Sequence, residues 1–572
     1  MGSSWGFDRM RRLTRVQVSF RSSRDQDRVR RAVTQRRKHQ MSLPAPENAF
    51  VTPLLTDFYQ ISMCYAYFKA KMHEQPAVFE LFFRKNPFKG AFTVLAGTDE
   101  VLRFVSNFKF TAEHIAYLRT VMPHAEDAFF DYLAELDCSK VKISTIAEGT
   151  VVFPKEPLIR VEGPLAVAQL LETPLLNLIN YPSLIATNAA RMRLAAGPTV
   201  KLLEFGLRRA QGPDGGMSGS KYAMVGGFDA TSNVLAGMMF DIPIQGTHAH
   251  SFITSFTSLD DVDDGLTHGP VVIPDFKQQC VAMRERLGYR TNDSELAAFI
   301  SYAISFPATF LALVDTYSTL DSGVKNYVAV AAVLASHGIK PLGIRLDSGD
   351  LAYLSIQARK QFREADEKLG LDLKLENSTI VASNDINESI LHSLKEQKHD
   401  IDTFGIGTHL VTCQAQPALG CVYKLVQVRG MPRIKLSNEK DKMTIPGLKQ
   451  LYRIHGRTGP ILDLLTRADD PAPAVGESIM AMHPFQEEKR ARVTPVKVEK
   501  LLLVRWDGRL VDGYTLPSVS DTREFVKQQL RVMREDHIRS QFPTPYKLSV
   551  TQTLFASIRK LWLESSPVAE LC

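Results

Sequence analysis

One repeating pattern, between residues 196 and 430, constrains the fold of this chain more than any other feature. Short apolar runs end in polar or glycine residues, and most are followed by a segment with helical periodicity. The runs end at Glu204-Phe205-Gly206, Gly246-Thr247, Val314-Asp315, Arg345-Leu346-Asp347, Ala382-Ser383-Asn384-Asp385 and Phe404-Gly405-Ile406-Gly407. Successive pairs of strand and helix predict a parallel sheet, and six such units fit a closed or nearly closed TIM-like α/β barrel.

Two helices in this region are predicted most clearly. The first has apolar residues in steps of three and four from Leu351 to Leu369, with Gly370 as its stop. The second runs from Tyr327 to Ala335, ahead of Gly338. Because the carboxyl ends of parallel strands meet at one edge, the polar residues that end the runs are expected to collect there.

The segments on either side of the barrel predict a second domain. Residues 141–164 alternate apolar and polar positions between glycine and proline breaks, which is typical of short antiparallel strands. Beyond residue 430, strand-like runs return, such as Leu501 to Trp506, and Asp521 to Glu524 has the spacing of a helix capping box. We therefore divide the chain into an extension (1–45), a mainly sandwich region (46–195), the barrel (196–430) and C-terminal segments (431–572) that complete the sandwich and pack on the barrel.

The net charge of +7 has a local origin. Residues 1–40 hold eleven arginines and one lysine against three aspartates, whereas the rest of the chain is slightly acidic. A near-neutral body argues against a nucleic-acid coat protein. The basic segment is interpreted as a disordered, dispensable extension before Met41; a mitochondrial transit peptide and a site for RNA or an acidic partner are the alternatives.

Cysteine spacing and hydropathy indicate the compartment. The six cysteines include no C-x-x-C pair, so neither a disulfide framework nor a structural zinc site is expected, and a reducing compartment is predicted. The longest apolar runs, such as Val328 to Ala335, are far shorter than the ~20 residues of a membrane span. We expect a cytoplasmic protein without membrane or nucleic-acid partners, with organelle targeting by the extension as the alternative.

Charged residues at the strand ends suggest a pocket for polar ligands. His248 and His250 flank one strand end, but without a nearby carboxylate cluster they are weak evidence for zinc. Asp315, Asp347 and Asp350 follow two other strands. Each carboxylate is suited to holding Mg²⁺, a histidine tautomer or ribose hydroxyls, and equally to capping a helix.

Two loops are candidates for phosphate binding. Gly405-Ile406-Gly407-Thr408 and Ser383-Asn384-Asp385 offer backbone N–H groups at helix starts. No complete G-x-G-x-x-G or Walker A sequence occurs, so phosphate binding is expected from several loops together. The acidic run at residues 260–264 lacks the spacing of an EF-hand and is interpreted as a solvated loop.

Longer motifs resemble those of the nicotinate phosphoribosyltransferase family of the animal type. They appear in the family's order from about Pro46 to near the C-terminus, and only the basic extension lies outside them. The motifs are TDFYQISM (56–63), FELFFRKNPFKG (79–90), EFGLRRAQGPDGG (204–216), GGFDATSNVLAG (226–237), GTHAHSF (246–252), VDTYSTLDSG (314–323), GIRLDSGDL (343–351), SNDIN (383–387) and FGIGTHLVTC (404–413).

The resemblance implies a type II phosphoribosyltransferase fold, an irregular α/β barrel with an α/β sandwich domain built from both ends of the chain. It also implies a homodimer with a shared active site. The implied reaction joins nicotinate to 5-phosphoribosyl 1-pyrophosphate, with hydrolysis of ATP, and releases nicotinate mononucleotide and pyrophosphate. Mg²⁺ or Mn²⁺ is the implied metal, with Asp347 as a candidate ligand.

The resemblance also assigns residues. It implies that ATP phosphorylates His250; on chemical grounds, Asp315 is suited to orienting that ring by holding one ring nitrogen. The implied nicotinate site contains Phe205, Arg208, Asp229, Thr247, Arg345 and, from across the dimer interface, Tyr59. The implied phosphoribosyl pyrophosphate site contains Asp347, Ser383, Asn384, Gly405, Gly407 and Thr408.

Three alternative functions follow from the same residues. A nicotinamide-specific relative shares the fold and the histidine, and the runs at 204–216 and 246–251 favour the acid-specific enzymes over it. A type I phosphoribosyltransferase is disfavoured because Thr316 stands where its second acid belongs. A catalytically silent protein on the same fold is disfavoured because His250, Asp315, Arg345 and Asp347 are all present.

Overall fold

The computed structural model of the chain describes residues 43–437, 439 and 442–566. The basic extension predicted over residues 1–45 therefore lies outside the described residues up to position 42. No helix among the residues described is long and apolar enough to cross a membrane. Five cysteines fall in the described part of the chain, and all are buried and free of disulfides.

A six-stranded parallel sheet forms the centre of the chain, as predicted. Its spatial order is β10-β11-β12-β13-β6-β7. The strands are β6 (Lys201–Glu204), β7 (Ala230–Thr231), β10 (Leu311–Leu313), β11 (Gly343–Leu346), β12 (Thr379–Ala382) and β13 (Thr403–Ile406). Five of them end where the apolar runs predicted; the sixth, β7, was not predicted.

The run ahead of Gly246 forms only an isolated parallel bridge from Ile244 to Thr231, instead of a strand. The Thr231 amide donates to Pro243 O (3.0 Å), and the Gln245 amide donates to Thr231 O (3.0 Å). A few residues later His248 Nε2 accepts a hydrogen bond from the Leu313 amide in β10 (3.3 Å). The segment 244–248 thus contacts both edge strands of the sheet, β7 and β10. Among the described residues, these two strands do not pair with each other across the sheet seam that the segment fills, so full closure of the barrel stays a prediction.

Helices surround the sheet and connect its strands. The helix predicted over 351–369 is confirmed: Asp350 caps it by accepting from the Tyr353 amide (3.0 Å), and Gly370 ends it with φ +61°. The helices from α1 to α9 are Phe58–Lys69, Thr98–Ser106, Ala112–Val121, Asp127–Glu135, Leu165–Leu170, Glu172–Ala196, Gly212–Val225, Val234–Phe240 and His250–Thr254. Those from α10 to α18 are Phe276–Arg286, Asp293–Ser305, Val324–Ser336, Leu351–Leu369, Glu388–Gln397, Thr408–Val411, Val519–Val532, Glu535–Ile538 and Gln552–Ser565.

Two further sheets lie beside the parallel one: the first is antiparallel throughout, and the second is mixed, with one parallel strand pair. The first, in the order β15-β14-β1-β5-β3-β21, takes strands from residues 76–164 and 421–507, and its β14 lies within 196–430, the stretch that the sequence assigned to the barrel. Its strands are β1 (Pro76–Phe83), β3 (Lys142–Thr145), β5 (Ile159–Pro164), β14 (Cys421–Val428), β15 (Met431–Pro432) and β21 (Leu503–Asp507). The second, β19-β18-β22-β17-β16-β20, comprises Lys449–Gly456 (β16), Gly459–Arg467 (β17), Ile479–His483 (β18), Gln486–Val493 (β19), Lys497–Lys500 (β20) and Leu548–Val550 (β22).

The remaining elements are short. Two antiparallel two-stranded pairs join β2 (Thr93–Val94) to β4 (Val151–Val152) and β8 (Leu266–His268) to β9 (Val271–Ile273); only the second pair is a hairpin. The helix predicted to open at Asp521 begins two residues earlier, because Ser518 and Asp521 form its capping box. The acidic run at 260–264 lies in an exposed loop, as predicted, where Asp261 accepts from the Thr257 and Ser258 amides.

Helix α6 connects the region around β2 with the segments that follow β12 and β13 of the parallel sheet. On one side, Ser183 Oγ and Thr187 Oγ1 accept from the backbone around β2 at 3.0 and 2.9 Å. On the other side, Asn188 Nδ2 donates to His409 O (2.9 Å), and Arg191 makes a bidentate ion pair with Glu388 at the start of α14. A single 25-residue helix therefore fixes the sandwich against the loops that follow β12 and β13.

Candidate active site

The polar residues that follow β10, β11 and β12 meet the segment 244–250 at the carboxyl edge of the parallel sheet. Parallel pairing places Leu313 beside Arg345, and Arg345 beside Val381. The three neighbouring strands β10, β11 and β12 therefore end at the same height in the sheet. The residues that follow them lie together at its carboxyl edge. This is the expected place for a ligand site in a parallel sheet.

His250 stands at the start of α9 with its side chain 45% exposed. Its Nδ1 lies 3.0 Å from Thr316 Oγ1. Its Nε2 lies 3.8 Å from Asp315 Oδ1 and 3.8 Å from Asp347 Oδ2. The hydrogen-bond partner of His250 is therefore Thr316, whereas Asp315, which was expected to hold the ring, shares its position beside Nε2 with a second acid.

Asp315 is fixed by its own hydrogen bonds. Its side chain is 1% exposed, and Oδ2 accepts from the Asp347 amide (3.0 Å) and from Ser348 Oγ (2.5 Å). Its other oxygen, Oδ1, is buried and has no hydrogen-bond partner among the residues described. A buried carboxylate oxygen without a donor is costly, so Asp315 Oδ1 can accept a further hydrogen bond on the side that faces His250.

Four neighbours hold the guanidinium of Arg345 in place, and one of them is the His248 carbonyl oxygen, which accepts from Nη1 (3.4 Å). Its Nε donates to Ser383 Oγ (3.0 Å), its Nη1 donates to Thr247 Oγ1 (3.2 Å), and its Nη2 lies 3.2 Å from Asp347 Oδ1. Ser383 Oγ also donates to Asp347. The structure thus brings together four of the residues predicted for the site, from the ends of β11 and β12 and from the segment 244–248.

Phe205 gives the site an apolar wall. It directly follows β6, and the guanidinium carbon of Arg345 lies 5.8 Å from the centre of its ring. A Cβ built on Gly405 would lie only 2.5 Å from two ring atoms, so the glycine allows the ring to rest on the strand β13. The loop before it is anchored by the fully buried Glu204, which accepts hydrogen bonds from Ser220 Oγ (2.8 Å) and Thr231 Oγ1 (2.5 Å).

The two predicted phosphate loops lie at the same edge. After β12, Asn384 and Asp385 adopt φ values of +107° and +47°, a left-handed conformation that is unfavourable for residues with side chains. Such strain is found at ligand sites, where surrounding structure maintains it. After β13, Gly407 and Thr408 are partly exposed and lead into the short helix α15.

The second histidine has a structural role. The His248 ring packs edge-on against Tyr302 (4.7 Å between centres) and near Phe252. Burial lowers the pKa of His248 to about 4, so the ring is neutral at physiological pH. Its position beside the sheet seam fixes the segment that carries Thr247 and His250.

Three predicted site residues are not part of this group. Asp229 lies at the amino end of the strands, where it accepts from the Leu202 amide and pairs with Arg193 and Arg523. The prediction that it lines the Phe205 pocket is therefore wrong for this chain, because its carboxylate is fully engaged at the opposite edge. Tyr59 is half-exposed on α1, and Arg208 is exposed, without an ion pair among the described residues.

Two carboxylates beside His250 are the candidate ligands for the predicted metal ion. Within the described part of the chain, no group of three or more His, Cys, Asp and Glu side chains is arranged to hold an ion. Asp315 Oδ1 and Asp347 Oδ2 nevertheless each lie 3.8 Å from His250 Nε2. Two carboxylate oxygens fit Mg²⁺, which commonly binds one or two carboxylates together with substrate phosphates and water.

A separate cleft is lined by residues that do not include His250. Its volume is about 810 Å³, and it is lined by α6, the start of α14 and the segment 414–416, with Arg191, Glu388 and His392 among its residues. The bidentate pairing of Arg191 with Glu388 cancels the charge at its floor. The convergence of acids, arginine and histidine instead marks the sheet edge as the candidate active site.

These features define a class of protein: an α/β enzyme whose site, at the carboxyl ends of parallel strands, is suited to anionic and phosphorylated ligands. Three family models match the chain. They describe the nicotinate phosphoribosyltransferase N-terminal domain (residues 54–180), the nicotinate phosphoribosyltransferase family (200–457) and the C-terminal domain (448–557).

Individual relatives agree with these models. A nicotinate phosphoribosyltransferase of Dictyostelium discoideum is 50% identical over 98% of this chain and 94% of its own length. The Homo sapiens enzyme of the same name is 43% identical over 91% of this chain and 98% of its own length. The crystal structure of human nicotinic acid phosphoribosyltransferase superposes with a TM-score of 0.80 at 40% identity, covering 88% of this chain and 99% of that one. The chain belongs to the nicotinate phosphoribosyltransferase family.

Sequence reasoning missed Thr316 and Ser348 as members of the site. Each directly follows a predicted site residue, Asp315 and Asp347 respectively, and both carry hydroxyl groups. Their position at strand ends was a usable signal. What the sequence could not indicate is which neighbouring side chain each hydroxyl contacts.

Proposed function

We propose that this chain catalyses the first step of NAD synthesis from nicotinic acid. It transfers the 5-phosphoribosyl group of phosphoribosyl pyrophosphate to the ring nitrogen of nicotinate, giving nicotinate mononucleotide and pyrophosphate, with coupled hydrolysis of ATP. The observation that carries the proposal is the fixed guanidinium of Arg345 beside the face of Phe205. Nicotinate is a planar aromatic ring with a carboxylate, so its binding requires an aromatic face for the ring and a guanidinium for the carboxylate.

The proposed nicotinate pocket explains the choice of residues. Arginine binds carboxylates through paired, planar hydrogen bonds, and its contacts to Ser383 and Thr247 set the plane in advance. Phe205 offers one face for stacking the pyridine ring. Arg208, which is exposed three residues further on, would add positive charge at the entrance.

The proposed phosphoribosyl pyrophosphate site uses backbone and carboxylate groups. The loops at 383–385 and 405–408 offer N–H groups to the 5-phosphate and the ribose, with Asn384 held in a left-handed conformation. Asp347 and Asp315 are the residues that would hold Mg²⁺ or Mn²⁺. When bound, the ion neutralises the charge that develops on departing pyrophosphate.

ATP coupling is proposed to act through His250. Its ring is exposed enough to meet a nucleotide, and its Nε2 lies 3.8 Å from a carboxylate oxygen of each of two acids, Asp315 and Asp347. A phosphorylated His250 would add negative charge next to the pyrophosphate site. That charge would strengthen cation binding there and thereby link ATP use to turnover.

We further propose a homodimer in which the partner completes the site. Two sets of apolar side chains support this arrangement. Phe50, Phe58 and Tyr59 are exposed near the start of the described chain, and α8 exposes Val234 and Met238 close to the strand ends. Apolar surface of this kind is typical of a protein interface. Tyr59 would then cover the pyridine face opposite Phe205, and we place the dimer in the cytoplasm.

One experiment tests the proposed reaction. Purified protein is incubated with phosphoribosyl pyrophosphate and either nicotinate or nicotinamide, with and without ATP, and the mononucleotide products are quantified. We expect nicotinate mononucleotide as the main product, formed faster with ATP. Preferential use of nicotinamide would assign the chain to the amide-specific reaction, and no product from either base would refute phosphoribosyl transfer.

A further inference from the structure

Glu204, the last residue of β6, is a fully buried acid that does not pair with a cation. None of its surface is exposed, and no ion pair of Glu204 occurs among the described residues. Burial of a carboxyl group away from water is costly unless hydrogen-bond donors satisfy it. The donors around Glu204 therefore identify the part of the structure that its burial maintains.

Three donors from three different segments meet at this carboxyl group. Oε1 accepts from the amide of Gly206, two residues further along the same turn. Oε2 accepts from Ser220 Oγ in α7 (2.8 Å) and from Thr231 Oγ1 in β7 (2.5 Å). Glu204 thus joins the turn that follows β6 to a helix and to the neighbouring strand.

Asn233 holds the two hydroxyl groups in place. Its Nδ2 donates to Ser220 Oγ (3.1 Å), and its amide donates to Thr231 Oγ1 (3.0 Å). Both hydroxyl oxygens act as acceptors for Asn233, so each hydroxyl can use its own hydrogen for Glu204. All four residues are buried, and bulk water does not compete for these contacts.

The turn that Glu204 closes carries Phe205. The Phe205 amide donates to Ile406 O in β13 (2.9 Å), which holds one side of the turn. The Gly206 amide donates to Glu204 and holds the other side. A Cβ on Gly206 would lie 2.4 Å from Val411 Cγ1, so the turn is packed closely against α15. The position of the Phe205 ring therefore depends on the contacts of the buried acid that precedes it.

We propose that Glu204 is a positioning residue for the pyridine ring: it fixes Phe205 where the ring can stack on nicotinate, and it thereby sets the affinity for the base. The inference rests on the nicotinate pocket proposed above. Glu204 does not touch the substrate, because none of its surface is exposed. Stacking of aromatic rings depends on their separation and offset, so a turn that is less firmly held weakens it.

The effect is expected mainly on one of the two substrates. Asp347 and the loop at 383–385, which are proposed to bind phosphoribosyl pyrophosphate, follow β11 and β12. No hydrogen bond joins them to Glu204 in the described part of the chain. Loss of the Glu204 contacts should therefore weaken the binding of nicotinate more than the binding of phosphoribosyl pyrophosphate.

The test compares Glu204→Met, which removes both acceptor oxygens at similar length, with Glu204→Gln, which retains one of them. Each change is also combined with Phe205→Leu. Glu156→Met and Glu156→Gln are the matched controls. Glu156 is equally buried and accepts the Phe153 amide (3.0 Å), but it lies between β4 and β5, outside the parallel sheet. The KM values for nicotinate and for phosphoribosyl pyrophosphate are measured on the full chain, and circular dichroism checks folding.

We expect the KM for nicotinate to rise about fivefold in Glu204→Gln and about 10- to 30-fold in Glu204→Met, the effects of losing one and two hydrogen bonds. The KM for phosphoribosyl pyrophosphate should change much less, and the Glu156 variants should leave both values unchanged. In the Phe205→Leu background, neither Glu204 change should raise the KM for nicotinate much further, because the ring that Glu204 positions is no longer there.

Three results would each overturn the inference: an unchanged KM for nicotinate in Glu204→Met, an equal rise of the two KM values, or the same rise with and without Phe205. If Glu204→Met does not fold, Glu204→Gln decides by the same three criteria. A wild-type protein that forms no nicotinate mononucleotide would refute the proposed function itself, and the inference with it.

Discussion

Replacing Arg345 with lysine separates the recognition of the carboxylate from the rest of the reaction. Arginine makes four contacts in the free site, to Ser383, Thr247, the His248 carbonyl oxygen and Asp347, and lysine can retain at most two of them. Two lost hydrogen bonds at about 1 kcal/mol each, together with the lost bidentate contact to nicotinate, predict a cost of about 2–4 kcal/mol. This corresponds to a decrease in kcat/KM for nicotinate of about 30- to 1000-fold.

The assay compares two substrates in the same variant. Nicotinamide has no carboxylate, so turnover of nicotinamide should be much less affected by Arg345→Lys, and the preference for the acid should shrink. Arg531→Lys is the matched control, since Arg531 is exposed and has no ion pair in the described part of the chain. Equal losses with both substrates would show that Arg345 supports the fold of the site and does not recognise the carboxylate, and an unchanged kcat/KM for nicotinate would refute the proposed role altogether.

Four further predictions follow from the same contacts. His250→Ala should take up no label from γ-labelled ATP and should keep slow ATP-independent turnover; equal acid-labile, base-stable label on both proteins would contradict this. Gly405→Ala places a Cβ 2.5 Å from the Phe205 ring and should lower kcat/KM for nicotinate by about tenfold, without loss of overall folding by circular dichroism. Burial raises the pKa of Glu295 to about 7, so the folded protein retains a proton that the unfolded chain releases, and the free energy of unfolding should fall between about pH 4.5 and 7. Glu295→Gln should therefore be more stable relative to wild type at pH 8 than at pH 5, by roughly 3 kcal/mol in urea unfolding. A difference that stays constant with pH would refute the assignment. Deleting residues 1–40 should leave turnover intact, and a folded but inactive truncated protein would show that the extension takes part in catalysis.

Local patterns predicted the elements of the central sheet well. The helix from Leu351 to Leu369 was predicted from the spacing of its apolar residues and from Gly370, because both features act within one or two turns. Five of the six strand ends were predicted for the same reason. The strand β7 was not, because two residues are too few to show a period.

Contacts between distant segments were beyond sequence reasoning. Asp229 stands in a motif of the family, yet it pairs with Arg193 and Arg523 at the amino end of the strands. His248 and His250 are two residues apart, yet one is packed among aromatic rings and the other faces two acids. Such contacts depend on residues that are distant in the sequence: the two arginine partners of Asp229 lie 36 and 294 positions away from it.

The sequence by itself determined the chemistry that this protein has available: the order of strands and helices, the polar residues that end the strands, and the motifs of the family. These properties depend on residue type and short spacing, which can be read directly. Only the tertiary structure decided how that chemistry is arranged, including the fixed plane of Arg345, the wall formed by Phe205 and the contact between Thr316 and His250. The physical reason is that hydrogen-bond and ion-pair partners are selected by distances of a few ångströms, and the folded sheet sets those distances between residues that lie far apart in the chain.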